Sequence, residues 1–122
     1  MDYLVIIETE WAFSVNDFKS QLLERWPMAR TRDVQSTRHP AVLDFEMPMR
    51  QSVIYGALYQ KGNAVSFSGE LEDCADFAHW CRSLIPTGES VLFCDEAMNT
   101  SLPLKLDTTP ADIVHAVVTS YG

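Results

Sequence analysis

Basic residues are few in this sequence. Nine lysines and arginines stand against seventeen aspartates and glutamates, a formal net charge of −8. Such a field repels phosphate backbones and attracts basic partners, so direct nucleic-acid binding is not expected. Cysteine is scarce as well. Cys74, Cys81 and Cys94 are an odd number without a C-x-x-C pair. That argues against a disulfide framework or a structural zinc site, and a reducing cytoplasm is the simplest home. The five glycines form no phosphate-cradling loop. No apolar run approaches the ~18–20 residues that span a bilayer, so no membrane segment is expected. The opening MDYLVIIETEW carries acids at Asp2, Glu8 and Glu10 and no basic region. It does not read as a secretory leader, although a processed chain would have lost one.

What is present is ordinary globular material: 122 residues, 47% apolar and 21% charged. That is the common size of one domain, and a second would leave neither half much core, so residues 1–122 are read as a single domain. DYLVIIE (2–8) is rich in β-branched residues and reads as a buried strand. Ser14-Val15-Asn16-Asp17 matches a capping box, and Val15, Phe18, Leu22 and Trp26 follow on one helical face before Pro27. Residues 28–40 hold Arg30, Arg32 and Arg38, with Thr31 to Ser36 a possible edge strand. AVLDFEM (41–47) and SVIYGALY (52–59) read as strands. Lys61-Gly62-Asn63 then turns the chain back into AVSFS (64–68).

A helix is expected over about 70–85, ending at Pro86. SVLFC (90–94) reads as a strand, Asp95 to Asn99 as a turn, and SLPLKL (101–106) as an edge strand containing Pro103. Thr109-Pro110-Ala111-Asp112 is a second capping box opening a last helix, with Ile113, Ala116, Val117 and Tyr121 on its apolar face. The order is β-α-β-β-β-α-β-β-α, with residues 28–40 able to add a strand. Hairpins dominate, so the expected fold is α+β: a largely antiparallel sheet with about three helices on one face.

The stretch ELEDCADFAHWC (70–81) looks most like chemistry, with two cysteines, a histidine and four carboxylates. On a helix, however, Cys74, Phe77, Ala78, Cys81, Leu84 and Ile85 fall on one stripe. Both cysteines therefore belong to the core, about 10.5 Å apart along the axis, too far for a disulfide. His79 lies about 140° from Cys74 and cannot share a metal with both sulfurs. Neither a metal nor a cofactor is expected. Glu70, Glu72 and Asp73 occupy the first turn, where the helix dipole favours negative charge. Asp76, one turn on and facing outward, is not explained that way.

Elsewhere, His39 and His115 lack a local nucleophile motif. Cys94-Asp95-Glu96 closes a strand, but flanking carboxylates raise a thiol pKa and make a poor nucleophile. Asp44 and Glu46 alternate on one strand face, where a solvated surface is the simpler reading. No motif establishes a catalytic activity, and an enzyme is not expected. Charge is uneven: residues 1–50 carry eight acids and six bases, residues 51–122 nine acids and three bases. Solubility alone accounts for such acidity as readily as a binding surface does.

From YGALYQKGNAVSFSGELEDCADFAHWCRSLIP through VLFCDEAMNTSLPLKLDTTPADIVHAV, about residues 55–117, the chain resembles small bacterial immunity proteins of polymorphic toxin systems, such as contact-dependent growth inhibition. The Gly62 hairpin, the helix from Gly69 to Ser83, the Asp95-Glu96 turn and the opening at Thr108–Ile113 carry the likeness. The resemblance implies a cytoplasmic, non-enzymatic protein that binds a toxin's C-terminal domain and occludes its active site. A nuclease toxin has a basic groove, which an acidic inhibitor can fill. The expected contact residues are Glu70, Glu72, Asp73, Asp76, Asp95 and Glu96. A housekeeping interaction module, or a small Cys/His-dependent enzyme, is the alternative.

Overall fold

A computed structural model describes residues 2–35, 38 and 40–121. The strands are β1 (Asp2–Ile7), β2 (Arg30–Asp33), β3 (Ala41–Pro48), β4 (Val53–Tyr59), β5 (Ala64–Ser68), β6 (Val91–Asp95) and β7 (Ser101–Pro103). The helices are α1 (Val15–Arg25), α2 (Leu71–Ser83) and α3 (Pro110–Tyr121). The fold is α+β, built on one seven-stranded sheet in the order β2-β3-β4-β5-β1-β6-β7. Every neighbouring pair is antiparallel. The expected element order holds, and residues 30–33 supply the additional edge strand.

Alternation along the strands separates the two faces. Tyr3, Val5, Ile7, Leu43, Phe45, Met47, Phe67 and Phe93 point into the core, whereas Leu4, Ile6, Asp44, Glu46 and Ser66 are half-exposed on the other face. Phe18 of α1 and Phe77 of α2 both meet the Phe45 ring, at 5.8 and 5.4 Å between centroids, so the two helices share the inner face. Ile113 and Val117 of α3 join the same core. At Gly56 a Cβ would lie 2.4 Å from the Phe45 ring and 2.7 Å from the Ser66 carbonyl, so only glycine lets that ring lie over β4. Gly62 turns the β4–β5 hairpin at φ +69°, and its carbonyl accepts from Phe13 N–H at 2.7 Å.

The helix starts follow the sequence closely. Ser14 Oγ accepts from Asp17 N–H. Thr109 Oγ1 accepts from Asp112 N–H at 3.1 Å while Asp112 accepts from Thr109 N–H at 3.0 Å, a reciprocal box. Some boundaries move. β3 includes Pro48, because its last pairing with β2 is at Glu46 and the missing N–H of Pro48 has no strand to serve on that side. β7 stops at Pro103 rather than 106. Leu104 N–H still reaches the Val91 carbonyl, and Lys105 to Thr108 then close a turn on the Thr108 hydroxyl. α2 ends at Ser83, with Leu84 and Ile85 bonded three residues back ahead of Pro86.

Candidate functional site

The opening of α2 docks on the β3–β4 turn. Asp73 is 1% exposed. Its carboxylate accepts from Gln51 N–H at 3.0 Å and from Ser52 Oγ–H at 2.7 Å, and Ser52 Oγ in turn accepts from Glu70 N–H at 3.0 Å. Asp73 therefore anchors the helix, which corrects its expected role as a contact residue: a partner cannot reach it. Glu70, Glu72 and Asp76 are exposed. Gln51 Nε2 donates to Glu72 at 2.5 Å. The Asp76 side chain makes no hydrogen bond or ion pair among the described residues.

Asp95 requires the same correction. It is fully buried at the end of β6, where Oδ1 accepts from Thr100 N–H at 2.9 Å and Oδ2 accepts from the Tyr121 hydroxyl of α3. It holds the β6–β7 turn and the end of α3 together. Glu96, the next residue, is exposed, and its N–H donates to the Asp2 carbonyl at 2.9 Å. Met98 in the same turn adopts φ +61° with 59% of its surface exposed.

Register brings the two acidic segments to one end of the sheet. Tyr3 pairs with Phe67 on one side and Asp95 on the other. The start of α2 and the Glu96 turn therefore flank β1, about two strand spacings apart. Burial raises the Tyr3 phenol pKa, and Cys74, Asp95 and Glu70 add to the rise. Asp2, Glu70 and Glu96 are exposed there, and none forms an ion pair among the described residues.

A base missed in the sequence does approach α2. Arg50, on the β3–β4 turn, lines two open clefts beside Asp76. One, of about 520 Å³, lies between α2 and α3 with Glu72, Val114, His115 and Val118 in its walls. The other, of about 470 Å³, includes Arg25, Trp26, His79 and Trp80. Arg50 comes from a distant hairpin, so local sequence gave no sign of it. The row Ala111, Val114 and Val118, spaced i, i+3, i+7, was a readable signal for the first cleft.

The histidines and thiols are held apart. Cys74 and Cys81 are fully buried in the α2 stripe beside Phe77, and His79 is exposed off it. His79 Nδ1 lies 3.0 Å from the Thr108 carbonyl, to which it donates. Burial pushes the Cys74 thiol up to about 12, with Asp73 adding to the rise, and raises Cys81 well above the usual thiol range. Cys94 is buried between Leu4 and Ser101 in register, and burial and then Asp95 raise its pKa. A thiol so held is a poor nucleophile at neutral pH. His39 lies outside the described residues, and His115 lines the α2–α3 cleft. Among the described residues no three His, Cys, Asp or Glu side chains converge to hold a metal. No helix of the described residues is long and apolar enough to cross a membrane.

Within residues 30–38, β2 sets its charges against β3 and α1. Arg32 bridges Asp44 at 2.6 Å, Arg30 stands opposite Glu46, and Lys19 meets Asp33 at 3.6 Å. Asp44 and Glu46 thus serve as cross-strand partners on the outer face. Fold and site together define an antiparallel α+β domain with an acidic end built from the α2 entrance and the β6–β7 turn. No family model, curated protein or solved structure matches the chain.

Proposed function

We propose that this chain is an immunity-type binding protein that occludes the active site of a toxin domain with a basic surface, acting in the cytoplasm without catalysis of its own. The carrying observation is the convergence of Asp2, Glu70 and Glu96 at one end of the sheet, exposed and without ion pairs among the described residues. Unpaired like charges held together repel one another, and dispersed charge would serve solubility equally well. A basic partner would use the cluster for steering and for contact. Met98 supports the same reading. An exposed apolar side chain in a left-handed backbone conformation is unfavourable in the free protein and adds apolar contact beside Glu96.

The contact set on this reading is Asp2, Glu70, Glu72, Asp76 and Glu96, with Asp73 and Asp95 holding the two segments in place. The test is co-expression with the protein encoded directly upstream, scored by neutralisation of its toxicity and by co-purification. Reversing Glu70, Glu72 and Asp76 to Lys should leave the fold intact, slow association by about tenfold or more at low salt, and flatten its salt dependence. A triple variant that protects cells and associates at an unchanged rate would show the acidic end to be solvation alone.

A further inference from the structure

α3 is apolar on two sides. Ile113 and Val117 enter the core, while Ala111, Val114 and Val118 form a second row along the groove facing α2. Val118 is 56% exposed. A surface helix ordinarily shows one apolar stripe and a charged back, but α3 carries no lysine or arginine and one carboxylate, Asp112. Val114 is half-buried against the core, whereas Ala111 and Val118 stay exposed beside it. Across the groove, Glu72 and Asp76 stand one helical turn apart on α2. Glu72 is engaged by Gln51, whereas the Asp76 carboxylate has no hydrogen-bonding or ion-pair partner among the described residues.

We infer that this groove docks an amphipathic helix of the partner protein, with an apolar row against Ala111, Val114 and Val118 and a lysine or arginine beside it meeting Asp76. The inference rests on the binding function proposed above and names where the partner would insert. The row from Ala111 to Val118 runs about 10.5 Å, two turns, which suits anchors at i, i+3 or i+4, and i+7 of a docked helix. The groove's 520 Å³ falls within the usual range of ligand clefts. Charge selects the occupant: two carboxylates against the single Arg50 leave the groove net negative, within the more acidic half of the chain. Arg50 matches the carbonyl end of the docked helix.

The probe is a synthetic amphipathic peptide of leucine and lysine, with a leucine–glutamate peptide as control, titrated into the whole isotope-labelled protein and followed by amide NMR. The lysine peptide should shift the amides of Asp76, Val114 and Val118 most. Val118→Asp and Asp76→Lys should each weaken it by about tenfold, with circular dichroism and urea midpoints confirming that both variants fold. Shifts centred elsewhere, equal binding of the glutamate peptide, or an unchanged affinity in folded Val118→Asp would each overturn the inference. Loss of the groove result with co-purification of the upstream product intact would remove the docking mode and leave the binding function standing. The converse pattern would remove the toxin partner and leave the groove.

Discussion

Arg82 shows how much one side chain can be asked to hold. It is 3% exposed and has no carboxylate partner among the described residues. Its guanidinium instead donates to three backbone carbonyls: Leu104 at 2.9 Å, Ile85 at 2.7 Å and Thr87 at 3.4 Å. It thereby caps the end of α2 and ties it to the segment after β7. Removing it strands those acceptors, so Arg82→Ala should lower unfolding free energy in urea by about 2–4 kcal/mol. Arg82→Lys should recover little, since one ammonium cannot replace the planar fork. The helix cysteines make a second residue-scale case. Cys74→Ser or Cys81→Ser buries a hydroxyl where a thiol packed and should cost roughly 1–3 kcal/mol, and native thiols should react slowly with a bulky reagent. Because the folded Cys74 pKa is about 12 against 9 ordinarily, the unfolded thiol ionises first. Stability from Cys74 is full below pH 9 and is lost as pH rises from 9 toward 12. A urea midpoint that falls over that window in the wild type, and falls less in Cys74→Ala, checks it.

At the scale of elements, local signals were legible and long-range ones were not. The boxes at Ser14 and Thr109 are written within four residues; the Thr109 box formed in full, and at Ser14 the cap bond from Asp17 N–H formed without its reciprocal. Thr109→Ala should cost about 1 kcal/mol by thermal or urea unfolding. Asp112, its partner, has a lowered pKa, chiefly through the Thr109 backbone hydrogen bond. Its contribution is present above the ordinary aspartate range and is lost as pH falls through the depressed folded value. The cysteine stripe was equally legible, because helical spacing alone assigns a face. The burial of Asp73 and Asp95 was not. Each depends on a donor from another element: Gln51 and Ser52 for one, the Tyr121 hydroxyl for the other. A carboxylate in a first turn or a tight turn looks the same in sequence whether it faces water or its own protein. Arg50 escaped notice for the same reason. Of the six acids first singled out, sequence pattern located the segments, and tertiary hydrogen bonding decided which side chains remain available.

At the scale of the whole molecule, both sheet edges are guarded. β2 is short and charged, with Arg30, Arg32 and Asp33, and β7 has three residues ending in Pro103. Such edges resist pairing with a second copy through the sheet, so concentration-dependent sedimentation should show no edge-mediated assembly, and Pro103→Val should be the change that promotes it. The centre of the sheet is different. β1, the first strand among the described residues, lies between β5 and β6 and so joins, within the sheet, the four strands β2 to β5 to the pair β6–β7. During synthesis Tyr3 must therefore wait for Phe67 and then Asp95 before both sides of the strand are satisfied. Its run of apolar side chains is made before either of the strands that flank it. β1 is thus the keystone of the ladder, and until β6 has been made the growing chain carries a strand with one open edge that a chaperone or a neighbouring nascent chain can capture.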